Sequence, residues 1–293
     1  HNTERNIMSK LTLRPNILGF EVLKDETPVT LYRAKEELPR SDSPKPCFAP
    51  IYTPSGQLIT EYRPADHTWH TGLYFGWVHA NDTNLWGGPW YIENSGKYEH
   101  VKDSHGIQRH DRFVKFNNEP SVVVSEELTW IDGFDSPLAK ETRTYQIDSI
   151  NGGYRWRIST KITPHSVDLT LGGSRAARYS GLELRMGPPF SDAHHYDSEG
   201  REGHESIMGK KAKWVAAQGS QGGCVAILDH SQNTRYPTPW FTRKNLLGAG
   251  LLMKEDLQIF AGQVLDLCYC FYVLDDDPGW EYWDKEHSAF SKE

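Results

Sequence analysis

The sequence lacks the features that announce nucleotide, nucleic-acid or membrane chemistry. No apolar run approaches the roughly 20 residues a helix needs to cross a bilayer, so membrane insertion is not expected. Basic residues are outnumbered, 32 Lys and Arg against 39 Asp and Glu, for a formal net charge of −7. Phosphate backbones are bound by clustered cations, so nucleic acid is not an expected partner. There is no phosphate-binding P-loop, no G-x-G-x-x-G after a strand, no G-x-S-x-G elbow and no H-E-x-x-H pair. These absences disfavour nucleotide-driven chemistry and serine hydrolysis. Four cysteines form neither a dense framework nor a metal-type C-x-x-C. The opening HNTERNIMSK carries no charged and then apolar leader: one was removed or none existed. The location is open, with a periplasmic or secreted one slightly favoured over a cytoplasmic one.

Helical periodicity is scarce too. No 12-residue stretch keeps a 3.6-residue apolar repeat, and 25 Gly and 17 Pro interrupt the chain. Strand signals are frequent, from LTLRP, FEVL and VTLYRA through QLITEYR and GLYFGWVHA to VLDLCYCFYVLD. In the 154–160 run Tyr154, Trp156 and Ile158 share one face, and Arg155, Arg157 and Ser159 the other. Cys268 and Cys270, two apart, share a face as small core residues. A dozen or more such runs, with turns about every ten residues, predict an all-β fold. The expectation is one large antiparallel β-sandwich over residues 1–293, with long loops and little helix. SDAHHYDSEGREGHES (191–206) reads as a long loop, and HSAFSKE as a solvated tail.

The densest chemistry lies in residues 45–90. Asp66-His67-Thr68-Trp69-His70 brings two imidazoles together only on a turn, a bulge or a helical turn, because residues three apart on a strand face opposite ways. Arg63-Pro64-Ala65 favours the turn. Asp66 could orient one imidazole and fix its tautomer. The pair would serve as acid–base groups or, with His67 and His70 as ligands, hold a divalent metal; otherwise these are loop histidines bonded to local backbone. Trp69 and Trp86 are candidate sugar platforms, since flat aromatic faces suit the C–H faces of sugar rings. Tyr74, Phe75 and Trp77 read as strand core.

Three further stretches are candidates. His100 follows a short polar run. In RYSGLELRMGPP, Glu183 and Arg185 share a strand face, where they would grip a polar substrate with Glu183 as acid or base, or form a solvated ion pair. In DHSQNTRYPTPWF, Asp229, His230, Asn233 and Trp240 form either a second pocket wall or a structural corner.

Two stretches, KPCFAPIYTPSGQLIT continuing to PADHTWHTGLYFGW and LDHSQNTRYPTPWF, are similar to a bacterial family labelled PmoA-like. Lys45, Pro46, Phe48, Pro50, Thr53, Pro54, Gly56 and Thr60 match its first motif. Asp66, His67, His70, Gly72, Leu73, Phe75 and Gly76 match the second; Asp229, His230, Asn233 and Pro237 to Phe241 match the third. The resemblance runs from about Lys45 to Val273. Trp69 stands where the family tends to carry a third histidine, which weakens a three-histidine metal site. The label implies a membrane-embedded methane oxygenase subunit, which the lack of a spanning segment rejects. What the resemblance implies is a β-rich protein of undetermined activity met mostly among carbohydrate-utilisation proteins. Length, strand count and scarcity of helix are similar to the galactose-mutarotase-like supersandwich, although fold alone gives no function.

The leading expectation is therefore a carbohydrate-active enzyme acting by hydrolysis, elimination or epimerisation. His67, His70, His100, His230 and Glu183 would be its catalytic groups, with Asp66 and Asp229 orienting them. Trp69, Trp86, Arg185, Asn233 and Trp240 would bind the carbohydrate. No cofactor is certain, a divalent metal ion is the one weighed, and the oligomeric state is open. The alternatives are a non-catalytic carbohydrate-binding protein and a metal-dependent enzyme of non-sugar substrates.

Overall fold

The computed structural model describes residues 10–293; the opening segment read above for a leader lies almost wholly outside them. Two large antiparallel sheets face one another. The first begins with the meander Leu11–Asn16, Gly19–Lys24 and Thr27–Arg33. It continues through Cys47–Ile51, Leu73–Ala80, Gly181–Arg185 and Leu246–Ala249 to the edge strand Trp240–Arg243. The second runs from His194–Asp197 through Trp214–Gln218, Cys224–Asp229 and Leu265–Leu274. Gly153–Pro164, Pro137–Ile150, Val122–Ile131 and Ile107–Asn117 complete it. The expected all-β sandwich with little helix is the fold observed. QLITEYR, expected as a strand, contributes only isolated bridges at Leu58, Thr60 and Tyr62.

Period-two alternation aims one side of each sheet at the other. Phe48, Phe75, Trp77, Leu182, Leu184 and Trp240 of the first meet Trp130, Trp156 and Phe271 of the second in one buried core. The rings of Trp77 and Trp130 lie 5.6 Å apart and those of Phe48 and Trp156 5.9 Å apart. Such pairs add specific geometry to a large apolar burial. Tyr154, Trp156 and Ile158 all point into this core, as their spacing predicts.

Polar groups are built into the same interior. Arg143, fully buried, donates from Nε to Glu141 at 2.8 Å, and Glu141 also accepts from the Trp130 indole at 2.9 Å and from the Thr160 hydroxyl at 2.5 Å. Glu126 accepts from the Tyr32 hydroxyl and lies 2.5 Å from His110 Nδ1. Buried charge is tolerated because each member finds a partner.

Two expectations about the second half are corrected. The segment 191–206 is no plain loop: His194–Asp197 forms the edge strand of the second sheet, and a short helix begins at His204. The C-terminal residues are not a solvated tail. Trp280–Phe290 is a helix whose Trp283, His287 and Phe290 are buried, and it packs on Trp214, Cys270 and Tyr272 of the second sheet's outer face. Covered on both faces, the strand Cys224–Asp229 is buried throughout, which explains its unbroken apolar run CVAIL. The first sheet's outer face is left for the site. Among the described residues no helix is long and apolar enough to cross a membrane.

Candidate functional site

Side chains that alternate with the core residues build the floor of a cavity of about 820 Å³ on that outer face. On Gly181–Arg185, Leu182 and Leu184 go inward, so Glu183 and Arg185 go outward. On Trp240–Arg243, Trp240 goes inward, so Phe241 and Arg243 line the cavity. Tyr74, the cross-strand partner of Glu183, lies beneath, clustered with Cys47, Val78 and Trp86. Trp86 lies flat on the sheet because position 76 is glycine: a Cβ there would come within 2.5 Å of the indole. Lys45, buried, donates to the Trp86 carbonyl at 2.8 Å and fixes that segment from below. The rings of Trp86 and Tyr179 lie 4.9 Å apart, and those of Tyr179 and Phe241 5.3 Å apart. Together they form an aromatic wall.

The D-H-x-x-H segment forms the opposite wall. Arg63 takes a positive φ of 51°, and its N–H donates to the His70 carbonyl at 2.8 Å, so residues 63–70 close into a loop. Asp42 holds that loop, accepting from Arg63 at 2.7 Å and from the Thr68 hydroxyl at 2.8 Å. Trp69 rests on Gly87 and Gly88, whose positive φ values shape a turn with no room for a Cβ against the indole. The turn predicted from Arg63-Pro64 thus exists, and it brings the rings of His67 and His70 to 5.0 Å.

The two histidines differ in their surroundings. Arg185 donates from a terminal nitrogen to His70 Nδ1 at 3.0 Å and from Nε to Glu61 at 3.1 Å. Since guanidinium only donates, His70 Nδ1 accepts and the ring proton sits on Nε2. Burial, then the Arg185 charge, pushes the His70 pKa well down, so the ring is neutral. His70 is therefore a fixed donor. His67 is more exposed, with Nδ1 3.1 Å from the Asp66 carboxylate, a charge contact off the hydrogen-bond line. Contact with His67 holds the Asp66 carboxyl below its ordinary pKa. His67 thus presents an imidazole whose Nδ1 has no hydrogen-bond partner among the described residues.

Glu183 is the lining's one carboxyl among the described residues, and it is 2% exposed. Burial raises its pKa to about 8, against the pull of Arg185, Arg243 and Lys45. At neutral pH it is mostly a protonated acid. Neither Glu183 Oε1 nor the Tyr74 hydroxyl has a hydrogen-bond partner among the described residues. Burial lowers Lys45 to about 8. The expected solvated Glu183–Arg185 pair is not seen: both are buried, and Arg185 pairs with Glu61.

The structure thus gathers His67, Trp69, His70, Trp86, Glu183 and Arg185, with Asp66 adjoining. It does not bring in His100, which is exposed in a separate hollow with Arg40 and His105. Nor does it bring in Asp229, His230, Asn233 or Trp240, which form a structural corner. Asp229 accepts from Asn233 at 2.7 Å and from the Thr238 N–H at 2.9 Å, while Asn233 also bonds both the Cys268 N–H and its carbonyl. His230 packs on Phe290 with ring centres 4.7 Å apart, and Trp240 donates to the Ala212 carbonyl. Sequence reasoning missed Lys45, Tyr179, Phe241 and Arg243 as site residues. The inward Trp240 would have pointed to the last two through alternation. No group of three His, Cys, Asp or Glu side chains gathers for a metal among the described residues. The His67–His70 pair fits a cation poorly, since Arg185 occupies one ring nitrogen.

Fold and site define an antiparallel β-sandwich with an aromatic cavity containing a buried carboxylic acid. The chain belongs to DUF6807, described as a family of unknown function, whose model matches residues 19–286. Among curated proteins no match is found. A solved structure described as "Crystal Structure Analysis of HI1317" is similar at 10% identity and a TM-score of 0.30, over 90% of this chain and 99% of that one.

Proposed function

We propose that this chain is a carbohydrate-active enzyme that moves a proton at a sugar carbon, by elimination or epimerisation. The observation that carries the reading is Glu183, a carboxylic acid kept protonated at neutral pH in an aromatic cavity it shares with His67. In this reading His67 is the base, Asp66 orients it, and Glu183 supplies the proton. His70 donates from Nε2 to a substrate oxygen, and Trp69, Trp86 and Tyr179 pack on the ring. Ordinary glycoside hydrolysis ranks behind, because it uses two carboxyls about 5–9.5 Å apart and Glu183 is the one carboxyl among the described lining residues. The carbohydrate setting comes from the PmoA-like resemblance, and the likeness to a galactose-mutarotase-like supersandwich belongs to the same proposal.

The test is proton NMR of mono- and oligosaccharides incubated with the protein in deuterium oxide. The expected result is exchange of one ring C–H for deuterium, or new vinylic signals. His67→Ala should slow it by about 10²–10⁴-fold. Saturation transfer to a sugar without chemical change would instead indicate a non-catalytic binding protein. No sugar signal of either kind would sink the carbohydrate reading.

A further inference from the structure

We propose that the carbohydrate taken by this cavity carries a carboxylate, as in a uronic acid, and that Arg243 with Lys244 beside it holds that group. This rests on the carbohydrate reading above and adds the substrate's charge. The argument begins with pairing. Fourteen of the arginines among the described residues have a carboxylate within 4.0 Å, from Arg14 with Glu21 to Arg235 with Glu255. Arg243, in the cavity lining, pairs with none of the described carboxylates. In a chain of net charge −7, whose other described arginines all find an acidic partner, that exception falls inside the candidate site.

Arg243 is also held ready. It shares a strand face with Phe241, its guanidinium lies 4.8 Å from that ring's centre, and it donates to the Thr242 carbonyl at 3.0 Å. A guanidinium so placed has little freedom left to lose on binding and keeps donors for a planar anion. Lys244 lines the same cavity and is exposed. The lining's one described carboxyl, Glu183, does not cancel this charge, because it is buried in its protonated form.

A carboxylate fits the chemistry as well as the charge. Neutralising it acidifies the hydrogen on the adjoining carbon. In an elimination from a 4-linked uronate, the C5–H bond breaks and its proton passes to His67 Nε2. The freed electron pair forms the C4–C5 double bond, the C4–O bond breaks, and the departing oxygen takes the proton of Glu183. Atoms and electrons balance with no oxidant or cofactor.

The experiment is calorimetric titration of the full chain with galacturonate, glucuronate, galactose, glucose and glucose 6-phosphate at low salt. It is repeated with Arg243→Gln and Arg243→Lys, both surface changes. Uronates should bind at least about tenfold more tightly than the neutral sugars. Arg243→Gln should erase that preference, weakening uronates more than neutral sugars, and Arg243→Lys should retain part of it. Equal binding of neutral and acidic sugars, unaffected at residue 243, would overturn the charge inference and leave the carbohydrate reading standing. Binding of glucose 6-phosphate alone would make this a phosphate site and refute the carboxylate. Binding of no sugar at all would remove the carbohydrate reading and this inference with it.

Discussion

Glu183 offers a test of the site that needs no substrate. Its carboxyl moves from an ordinary 4.5 to about 8 on folding because burial strips the charged form of water. An acid whose folded pKa is raised contributes stability that is whole below pH 4.5 and is lost as pH rises through 8, since only the folded state keeps the proton. At about 1.36 kcal/mol per pH unit, that loss is on the order of 5 kcal/mol. Glu183→Gln keeps the shape and cannot ionise. Urea unfolding of both proteins between pH 5 and pH 8 should therefore show the wild type losing about 4 kcal/mol relative to the variant. Lys45, lowered to about 8 by burial, acts in the opposite sense, its destabilising effect growing as pH falls through 8. Asp229, raised to about 7, acts in the same sense as Glu183. Both are present in both proteins, so to first order the comparison removes them. Parallel pH profiles would refute the buried protonated acid and the role assigned to it.

Two further predictions follow from the packing. Gly76→Ala places a methyl 2.5 Å from the Trp86 ring; it should cost about 1–3 kcal/mol in urea unfolding and weaken saturation transfer to any bound sugar. Wild-type stability together with unchanged binding would show that Trp86 does not depend on that glycine. Arg143→Met leaves Glu141 buried beside Trp130 and Thr160 without its cation, and should cost about 3–5 kcal/mol. Adding Glu141→Leu should recover most of that loss, whereas a double variant no more stable than the single one would contradict the pairing argument.

Most strands were legible because they alternate. The Gly153–Pro164 strand shows its two faces in its letters, and Gly181–Arg185 already placed Glu183 and Arg185 together. The histidine turn was legible from Arg63-Pro64 because three-residue spacing excludes a strand for a converging pair. The C-terminal helix was not. Its buried positions Trp283, His287 and Phe290 keep helical spacing, but charged and polar residues separate them and one of the three is histidine. What makes that face apolar is the sheet it covers, and the sheet lies far away in sequence. The corner at Asp229 misled for a related reason. A buried acid with two polar partners reads the same in sequence whether it orients a catalytic group or ties a turn. Only the side of the sheet decides, and Cys224–Asp229 belongs to the sheet whose outer face the helix already covers.

One consequence of the alternating strands concerns how the protein can change. In Leu182-Glu183-Leu184-Arg185 and Trp240-Phe241-Thr242-Arg243, successive letters belong to different tasks, one buried inside the sandwich and the next lining the cavity. Substitutions at 183, 185, 241 and 243 can therefore explore new specificities with little effect on the core. A single-residue insertion or deletion in either strand would exchange the two sets and abolish both at once. The cavity is open to replacement and closed to changes of length, so relatives with other ligands should differ here by letters, and by length only in the loops.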